Sequence, residues 1–187
     1  VGHSYTQEGY HGMDALVAGF SLDHIGRSPA RYDVVQRDHW QKEAVAHLPM
    51  SEFIPWANLN TQALSSTEQN QWAELLQTNV LLPADVAEWQ ACLGVAAPDY
   101  SEEAVFVLRA GVAVIDVLAD ALQSGLTGAA CLDAIKQRSG LKGKALFMPL
   151  RRLLTGREDG PELLKLLACL STEALQNRIT VAKQRIQ

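Results

Sequence analysis

The chain has 187 residues, of which 48% are hydrophobic, and its 16 basic and 21 acidic side chains give a net charge of −5. This length is enough to bury a core in one or two domains, and no apolar run approaches the roughly 20 residues that a membrane span needs. We therefore expect no membrane partner. The cysteines follow no disulfide or metal-binding spacing, so we expect a reducing cytoplasm. They are Cys92, Cys131 and Cys169.

The first 60 residues are the least regular part of the sequence. Pro29, Pro49 and Pro55 interrupt the pattern and predict short helical pieces. The chain begins without an initiator Met and without the basic start of a secretion signal, so we interpret residue 1 as a cut edge within a longer protein. The four tryptophans, at positions 40, 56, 72 and 89, are spaced almost evenly. Nothing else recurs at that period, and we expect them in the core.

Two clusters of apolar residues predict two helices between residues 60 and 97. The clusters are Trp72, Leu75 and Leu76 in the first helix and Val86, Trp89 and Leu93 in the second. The stretch 94–101, GVAAPDYS, combines Gly, Pro and a capping Ser, and we expect a linker there.

The clearest helix is predicted over residues 101–125. Ser101 can cap its start, and Glu102 and Glu103 lie in the first turn, where the helix dipole favours negative charge. Apolar residues then recur at steps of three and four, which predicts one uninterrupted buried stripe that ends before Gly125. The stripe consists of Val105, Leu108, Val112, Ile115, Leu118 and Leu122.

Four more helices are predicted after this one. The first runs from Thr127 to Arg138. The second is interrupted by Pro149, which lacks an N–H and must kink or restart the helix. Pro161 suits the first turn of the third. A last helix begins after Ser171 and carries an apolar stripe, namely Leu175, Ile179, Ala182 and Ile186. Five short helices in about 85 residues form a compact bundle, so the predicted fold class is all-α.

Positive charge is concentrated between residues 136 and 157. This window has seven basic residues and no acidic one, so it carries +7 and the rest of the chain carries −12. A polyanion responds to such a local field rather than to the net charge of the chain. Basic side chains on solvated helix faces are the alternative interpretation. The seven are Lys136, Arg138, Lys142, Lys144, Arg151, Arg152 and Arg157.

No motif of catalysis occurs in the sequence. It contains no GxxxxGK[ST] loop, no GxGxxG after a strand and no GxSxG elbow. His3, Glu8, His11 and Asp14 are close enough in sequence to suggest a metal site. Their spacing matches no ligand pattern, so we favour a solvated terminus. We therefore expect no catalytic centre, no cofactor and no metal in this segment.

The basic segment belongs to a longer pattern. Residues 142–163, KGKALFMPLRRLLTGREDGPEL, resemble the last part of bacterial glutamyl-tRNA synthetases, in which KGK, LF, PLR, LTG and GPEL recur in this order. Residues 20–33, FSLDHIGRSPARYD, resemble the end of that family's tRNA stem-contact region. The spacing between the two segments also fits, so the resemblance covers essentially the whole chain.

This resemblance implies a division into three parts. Residues 1–60 would end the stem-contact region, residues 61–97 would form a first helical anticodon-binding subdomain, and residues 98–187 a second. The family's catalytic domain, which uses ATP and magnesium, would lie upstream of this segment. The implied role is to bind glutamate tRNA as a monomer and to position it for glutamylation by that domain.

Arg151 is the main candidate for reading the RNA. In the resemblance it falls on the PLR arginine that contacts anticodon bases, which are unpaired and therefore readable on their edges. A guanidinium can give two parallel hydrogen bonds to a guanine or a phosphate. A capping or bridging role inside the bundle is the alternative.

Further contacts are expected around the helix breaks, where free backbone N–H groups meet basic side chains. Lys142, Lys144 and Arg157 are candidates for phosphate contacts. The apolar residues that pack against an anticodon base in the family fall on Pro161, Leu163 and Leu164. The two leucines are early in a helix, so a role in the core is the alternative for them.

Thr78 bears on the choice of tRNA. It occupies the position at which discriminating members of the family have an arginine that reads the third anticodon base, and no arginine lies between Arg37 and Arg109. The resemblance thus implies a protein that also accepts glutamine tRNA. After SPARYD the chain reads VVQRDHWQKEAV instead of the family's Lys-Leu and Leu-Asn pairs, so contacts there are expected to differ.

Two other classes of function stay open at this point. One is a free-standing helical module, derived from a synthetase, that binds RNA or protein without supporting aminoacylation. The other is a structural helical protein with no RNA partner. Salt-dependent tRNA binding separates the second from the rest.

Overall fold

The structure is a computed structural model that describes residues 3–6, 9–29, 31–59 and 64–187. In these residues the regular structure is helical, and one isolated antiparallel bridge joins His3 to Ile25. The all-α prediction is confirmed. Among the described helices, none combines the length and the apolar character needed to cross a bilayer.

The helices follow one another closely along the chain. In order they are α1 (Met13–Ala18), α2 (Val34–Ala46), α3 (Met50–Trp56), α4 (Ser66–Leu76), α5 (Pro83–Gly94), α6 (Glu102–Ala110), α7 (Val112–Gln123), α8 (Gly128–Arg138), α9 (Lys144–Thr155), α10 (Leu163–Cys169) and α11 (Thr172–Ile186). Short 3-10 helices at Leu22–His24 and Gln77–Asn79 precede α2 and follow α4. The predicted helices that correspond to α4, α5, α8 and α11 are confirmed.

The hydrophobic core begins at Val45 and continues to Ala182. In the described ranges before Val45, no residue is buried. Helices α2 and α3 pack against α4 and the 3-10 helix that follows it. There the amide of Gln77 donates to the carbonyl oxygens of Val45 (3.0 Å) and Leu48 (2.6 Å).

The long helix predicted over 101–125 is two helices, α6 and α7, which meet at Gly111. A side chain at Gly111 would overlap the ring of Pro149 in α9, so only glycine permits this close approach of α9. Val112, the first residue of α7 and a member of the predicted buried stripe, is 40% exposed. The prediction of one uninterrupted helix was wrong.

Pro149 itself does not interrupt its helix. Helix α9 continues from Lys144 to Thr155 with Pro149 inside it, so the predicted restart was wrong, while a kink at Pro149 stays a prediction. The missing N–H removes one backbone hydrogen bond, while the ring is buried against Gly111. Pro161 was also misplaced, because α10 begins only at Leu163 and Pro161 precedes it.

The tryptophans differ in their surroundings. Trp89 is buried, and Trp56 and Trp72 are half-buried against the core. Trp40 is 39% exposed, so the prediction that it lies in the core was wrong. It stands in the N-terminal part of the chain, where the described residues provide no core for it to enter.

Arg178 in α11 ties α5 to α9. It is fully buried and donates to the carbonyl oxygens of Leu93 (2.9 Å), Ala96 (3.2 Å) and Leu154 (3.1 Å). Leu93 and Leu154 lie in the last turns of α5 and α9, where helical carbonyls lack partners within the helix. Burial lowers the pKa of Arg178 from its ordinary value. The subdomain boundary predicted near residue 97 falls at this buried junction, and the boundary near residue 60 adjoins residues outside the described ranges; both stay predictions.

Candidate nucleic-acid interface

Glycines bound the helix that carries the basic segment. Gly143 before α9 and Gly156 after it have positive φ angles of 54° and 70°, which side-chain-bearing residues rarely adopt. Gly156 ends the helix, and its N–H donates to the carbonyl of Arg152 at 2.8 Å. The Thr155 hydroxyl then accepts from the N–H of Arg157 at 3.1 Å. The chain therefore turns sharply into a loop of residues 156–162, which we call the post-α9 loop.

The adjacent arginines Arg151 and Arg152 have different environments. The Arg152 side chain is only 7% exposed, donates to the Gly156 carbonyl at 2.9 Å and pairs with the carboxylate of Glu158. It therefore holds the post-α9 loop against the helix. Its Nε is buried and has no hydrogen-bond partner within the described part of the chain.

Arg151 is half-buried and spends only one donor inside the fold. Its Nη1 donates to the carbonyl of Pro161 at 2.8 Å. Burial lowers the pKa of the Arg151 guanidinium, and the negative charge of Asp159 opposes that effect. Its other N–H groups make no hydrogen bond with any residue in the described ranges, so the guanidinium keeps donors for a ligand.

The post-α9 loop also packs on α5. The Arg157 guanidinium lies over the Trp89 ring, 4.7 Å from its centroid, and is 3.8 Å from the carboxylate of Glu88. A side chain at Gly160 would overlap the same ring, so only glycine permits this approach. Trp89 thus fixes the loop through a cation–π contact and through close packing.

A polar groove of about 370 Å³ lies between the post-α9 loop, α5 and the 3-10 helix after α4. Its lining is Lys42, Asn79, Asp85, Glu88, Trp89, Arg157, Asp159 and Gly160. Thr78 is exposed next to Asn79 and accepts a hydrogen bond from the Asn79 amide at 3.1 Å. The fold thus brings the segment around Thr78 and the segment around Arg157, about 80 residues apart in sequence, to one groove.

Ion pairs occupy four of the seven basic residues in the 136–157 window. Lys136 pairs with Asp133 (3.6 Å), and Arg138 pairs with Asp120 (3.0 Å). Arg152 and Arg157 pair with acidic residues as described above. Lys142, Lys144 and Arg151 have no ion pair with any residue in the described ranges. The basic side chains of this window without a described ion pair therefore lie at the start of α9 and on its solvent face.

The apolar candidates near the loop are mostly enclosed. Pro161 is buried and Leu163 is 6% exposed, so neither offers a base much surface in this conformation. Leu164 is 37% exposed and is the apolar candidate that a ligand can reach. RNA contact stays a prediction for each of them.

No group of metal-binding side chains is present in the residues that the structure describes. His3 is engaged locally, since its Nε2 accepts from the N–H of Ser21 at 3.0 Å. Glu8, another residue of the metal site that the sequence suggested at the N-terminus, lies outside the described residues.

Sequence reasoning missed several residues that border these surfaces. Lys42 and Asn79 line the groove, and nothing in their local sequence marks them. Phe147 is 40% exposed on α9, between Lys144 and Arg151. Lys144 lies three residues before Phe147 and Arg151 four residues after it, a spacing that places all three on one helix face. This pattern in the sequence could have identified Phe147.

Comparisons with known proteins give a consistent result. A family model described as the anticodon binding domain matches residues 43–183. A protein named glutamate–tRNA ligase 2 from Nitrosococcus oceani is 34% identical over 96% of this chain and 39% of its own length. Glutamate–tRNA ligase 1 from Methylococcus capsulatus is 36% identical, again over 96% of this chain and 39% of its own length.

A solved structure agrees in fold. The crystal structure of a glutamate tRNA ligase from Elizabethkingia meningosepticum, in complex with its amino acid, superposes with a TM-score of 0.74 at 17% identity. The match covers 95% of this chain and 37% of that one. The chain thus spans about two fifths of the length of the curated relatives it matches.

Proposed function

Because the chain belongs to the anticodon-binding domain family, we propose that it binds the anticodon arm of glutamate tRNA and positions that tRNA for glutamylation. The chemistry would be carried out by the catalytic part of a glutamate–tRNA ligase, with ATP and magnesium bound there and not in this segment. The protein would act as a cytoplasmic monomer. The similarity to glutamate–tRNA ligases over almost the whole chain supports this role.

The convergence of two distant segments is the observation that carries the proposal. The post-α9 loop and the 3-10 helix that contains Thr78 meet at one groove. Arg151, which has no ion pair in the described ranges, donates to Pro161 of that loop. An anticodon loop presents unpaired bases that are read by hydrogen bonds on their edges, together with phosphates that attract cations. Arg151 supplies unspent donors in the fork geometry that both kinds of acceptor favour.

The acidic residues of the groove fit a base better than a phosphate. Asp85 is already spent, because its carboxylate accepts from the N–H groups of Leu81 (2.7 Å) and Leu82 (2.9 Å) at the start of α5. Glu88 is neutralised in part by Arg157 at 3.8 Å. Asp159 has no ion pair in the described ranges, so it would repel a phosphate more than a neutral base. A neutral nucleobase can therefore enter the groove, while phosphates would lie on the α9 side.

Binding measurements on the 187-residue chain test the proposal. Labelled glutamate tRNA, glutamine tRNA and a glutamate tRNA with an unrelated anticodon are titrated between about 50 and 200 mM salt. We expect affinity to fall steeply with salt and the altered anticodon to bind more weakly than the other two. Binding without salt dependence, or equal affinity for all three RNAs, would contradict the proposal.

Thr78 gives a separate test of tRNA choice. Since Thr78 has no guanidinium to read the third anticodon base, glutamate and glutamine tRNAs should bind alike. Thr78→Arg places a fork at an exposed position and should make the chain prefer glutamate tRNA. If Thr78→Arg changes the affinity for both tRNAs equally, residue 78 does not read the anticodon. The proposal that the chain binds tRNA would not be affected by that result.

A further inference from the structure

The solvent face of α9 has an unusual composition. In a helix of 3.6 residues per turn, Lys144, Phe147, Met148 and Arg151 share one face, and Lys144 and Arg151 are about 10 Å apart along the axis. The opposite face enters the core, where Leu146 and Leu150 are 1% and 0% exposed. An exposed face usually carries polar residues of both signs. This one has an aromatic ring and a thioether between two cations.

Phe147 is accessible and unoccupied within the fold. It is 40% exposed, and its ring stacks on no other aromatic ring in the described part of the chain. Neither Lys144, three residues before it, nor Arg151, four residues after it, has an ion pair in that part of the chain. The ring is thus flanked along the helix by two positive charges that form no ion pair with a described carboxylate.

We propose that Phe147 is a stacking platform for one unpaired base of the RNA loop, with Lys144 holding a phosphate on one side of it and Arg151 bonding the neighbouring base on the other. This rests on the proposed function and adds a residue to it. Aromatic rings bind unpaired bases face to face, and neighbouring cations hold the backbone that carries them. The absence of any acidic residue between 136 and 157 favours a polyanion over a protein partner as the occupant.

The chain offers a matched control. Phe106 is 72% exposed, but it lies on α6, and its neighbourhood includes Glu102 as well as Arg109. Phe106→Leu and Phe147→Leu each replace an exposed ring by an aliphatic side chain of similar polarity. If general surface hydrophobicity drives RNA binding, both changes should have the same effect. If stacking on α9 drives it, only Phe147→Leu should weaken binding.

The experiment measures the affinity of the 187-residue chain for a hairpin RNA with the anticodon stem and loop of glutamate tRNA. We expect Phe147→Leu to weaken binding by about fivefold or more, Phe147→Trp to bind within about twofold of the wild type, and Phe106→Leu to leave affinity unchanged. The salt slope should stay the same in all four proteins, because no charge changes. The melting temperatures of the four proteins are also measured. Equal values would show that a loss of affinity does not come from a loss of stability.

Hairpins that lack one loop base at a time identify the stacked base. At one loop position, removing the base should weaken binding to the wild type and have no further effect on Phe147→Leu. If Phe147→Leu binds like the wild type, or if its loss is the same for every hairpin, the stacking proposal is overturned. If the wild type itself shows no salt-dependent binding to the intact hairpin, the proposed function fails as well, so the two failures are distinguishable.

Discussion

The junction around Arg178 and the solvent face of α9 both present guanidinium groups, and they differ in how the donors are used. Arg178 is fully buried and donates to backbone carbonyls of three separate segments. Arg151 is half-buried and donates to one carbonyl, that of Pro161. A guanidinium whose donors are spent within the fold fixes the position of helices. One with unspent donors beside an exposed aromatic ring is suited to a ligand.

Arg152 shows that neighbours in sequence can belong to different regions. It follows Arg151 directly, yet it is 6% exposed and bonded to Gly156 and Glu158. One residue along an α-helix turns a side chain by about 100°, which here separates a surface from an interior. The comparison therefore predicts loss of stability for changes at Arg178 and loss of RNA affinity for changes on α9.

The largest expected effect is at Arg178. Arg178→Met should lower the free energy of unfolding by about 3–5 kcal/mol, because the carbonyls of Leu93 and Leu154 would be left buried without a donor. Urea denaturation followed by circular dichroism measures the change. A loss below about 1 kcal/mol would mean that Arg178 does not hold α5 and α9 together.

Arg151→Ala should have the next largest effect, and on a different quantity. It should weaken tRNA binding by about 1–3 kcal/mol, with a loss that depends on the anticodon base, because the bidentate base contact proposed for Arg151 would be lost. Stability should change by no more than the roughly 1 kcal/mol of the hydrogen bond to Pro161.

Arg151→Lys tests whether the shape of the guanidinium, and not only its charge, is needed for binding. A lysine keeps the charge but lacks the planar fork, so it should rescue little of the lost affinity. Melting temperature and binding to two anticodon variants are measured for both proteins. If Arg151→Ala melts markedly lower and binds all anticodons equally badly, Arg151 is a bridge within the bundle and belongs with Arg178.

Lys144→Ala should produce a smaller and uniform effect. Lys144 is exposed at the start of α9 and has no described ion pair, so we expect it to contact a phosphate. Its removal should weaken all tRNAs about equally and reduce the salt slope by about 1. Binding at four or five salt concentrations measures the slope; an anticodon-dependent loss would move Lys144 to the base-reading group.

Arg138→Met should have the smallest effect on both quantities. Arg138 lies in the same basic window but pairs with Asp120 at 3.0 Å, and about half of each side chain is exposed. Such surface pairs contribute about 0–1 kcal/mol to stability. Because the Arg138 guanidinium is bonded to Asp120, we expect it to make no phosphate contact, so tRNA affinity should also change little. A loss as large as that of Lys144→Ala would show that ion pairs in this window open when RNA binds.

The sequence alone determined much of the helical content. Apolar residues at helical spacing identified α4, α5, α8 and α11, and Ser101 and Ser171 cap the helices that were expected to start after them. Apolar spacing identifies these helices because a helix with one buried face must repeat its apolar residues every three or four positions. The basic window and the pattern of residues 142–163 likewise needed no coordinates. The resemblance of that pattern indicated the family that the comparisons then identified.

Tertiary structure decided which neighbour covers each face. Pro149 lies 38 positions after Gly111, yet its ring fills the space that a side chain at Gly111 would need. Leu163 became a core residue and Leu164 a surface residue only when α10 packed against its neighbours. Likewise Arg152 went inward and Arg151 stayed partly outside. A helical period orients side chains about their own axis, but burial depends on the helices that pack alongside, and these come from distant parts of the chain.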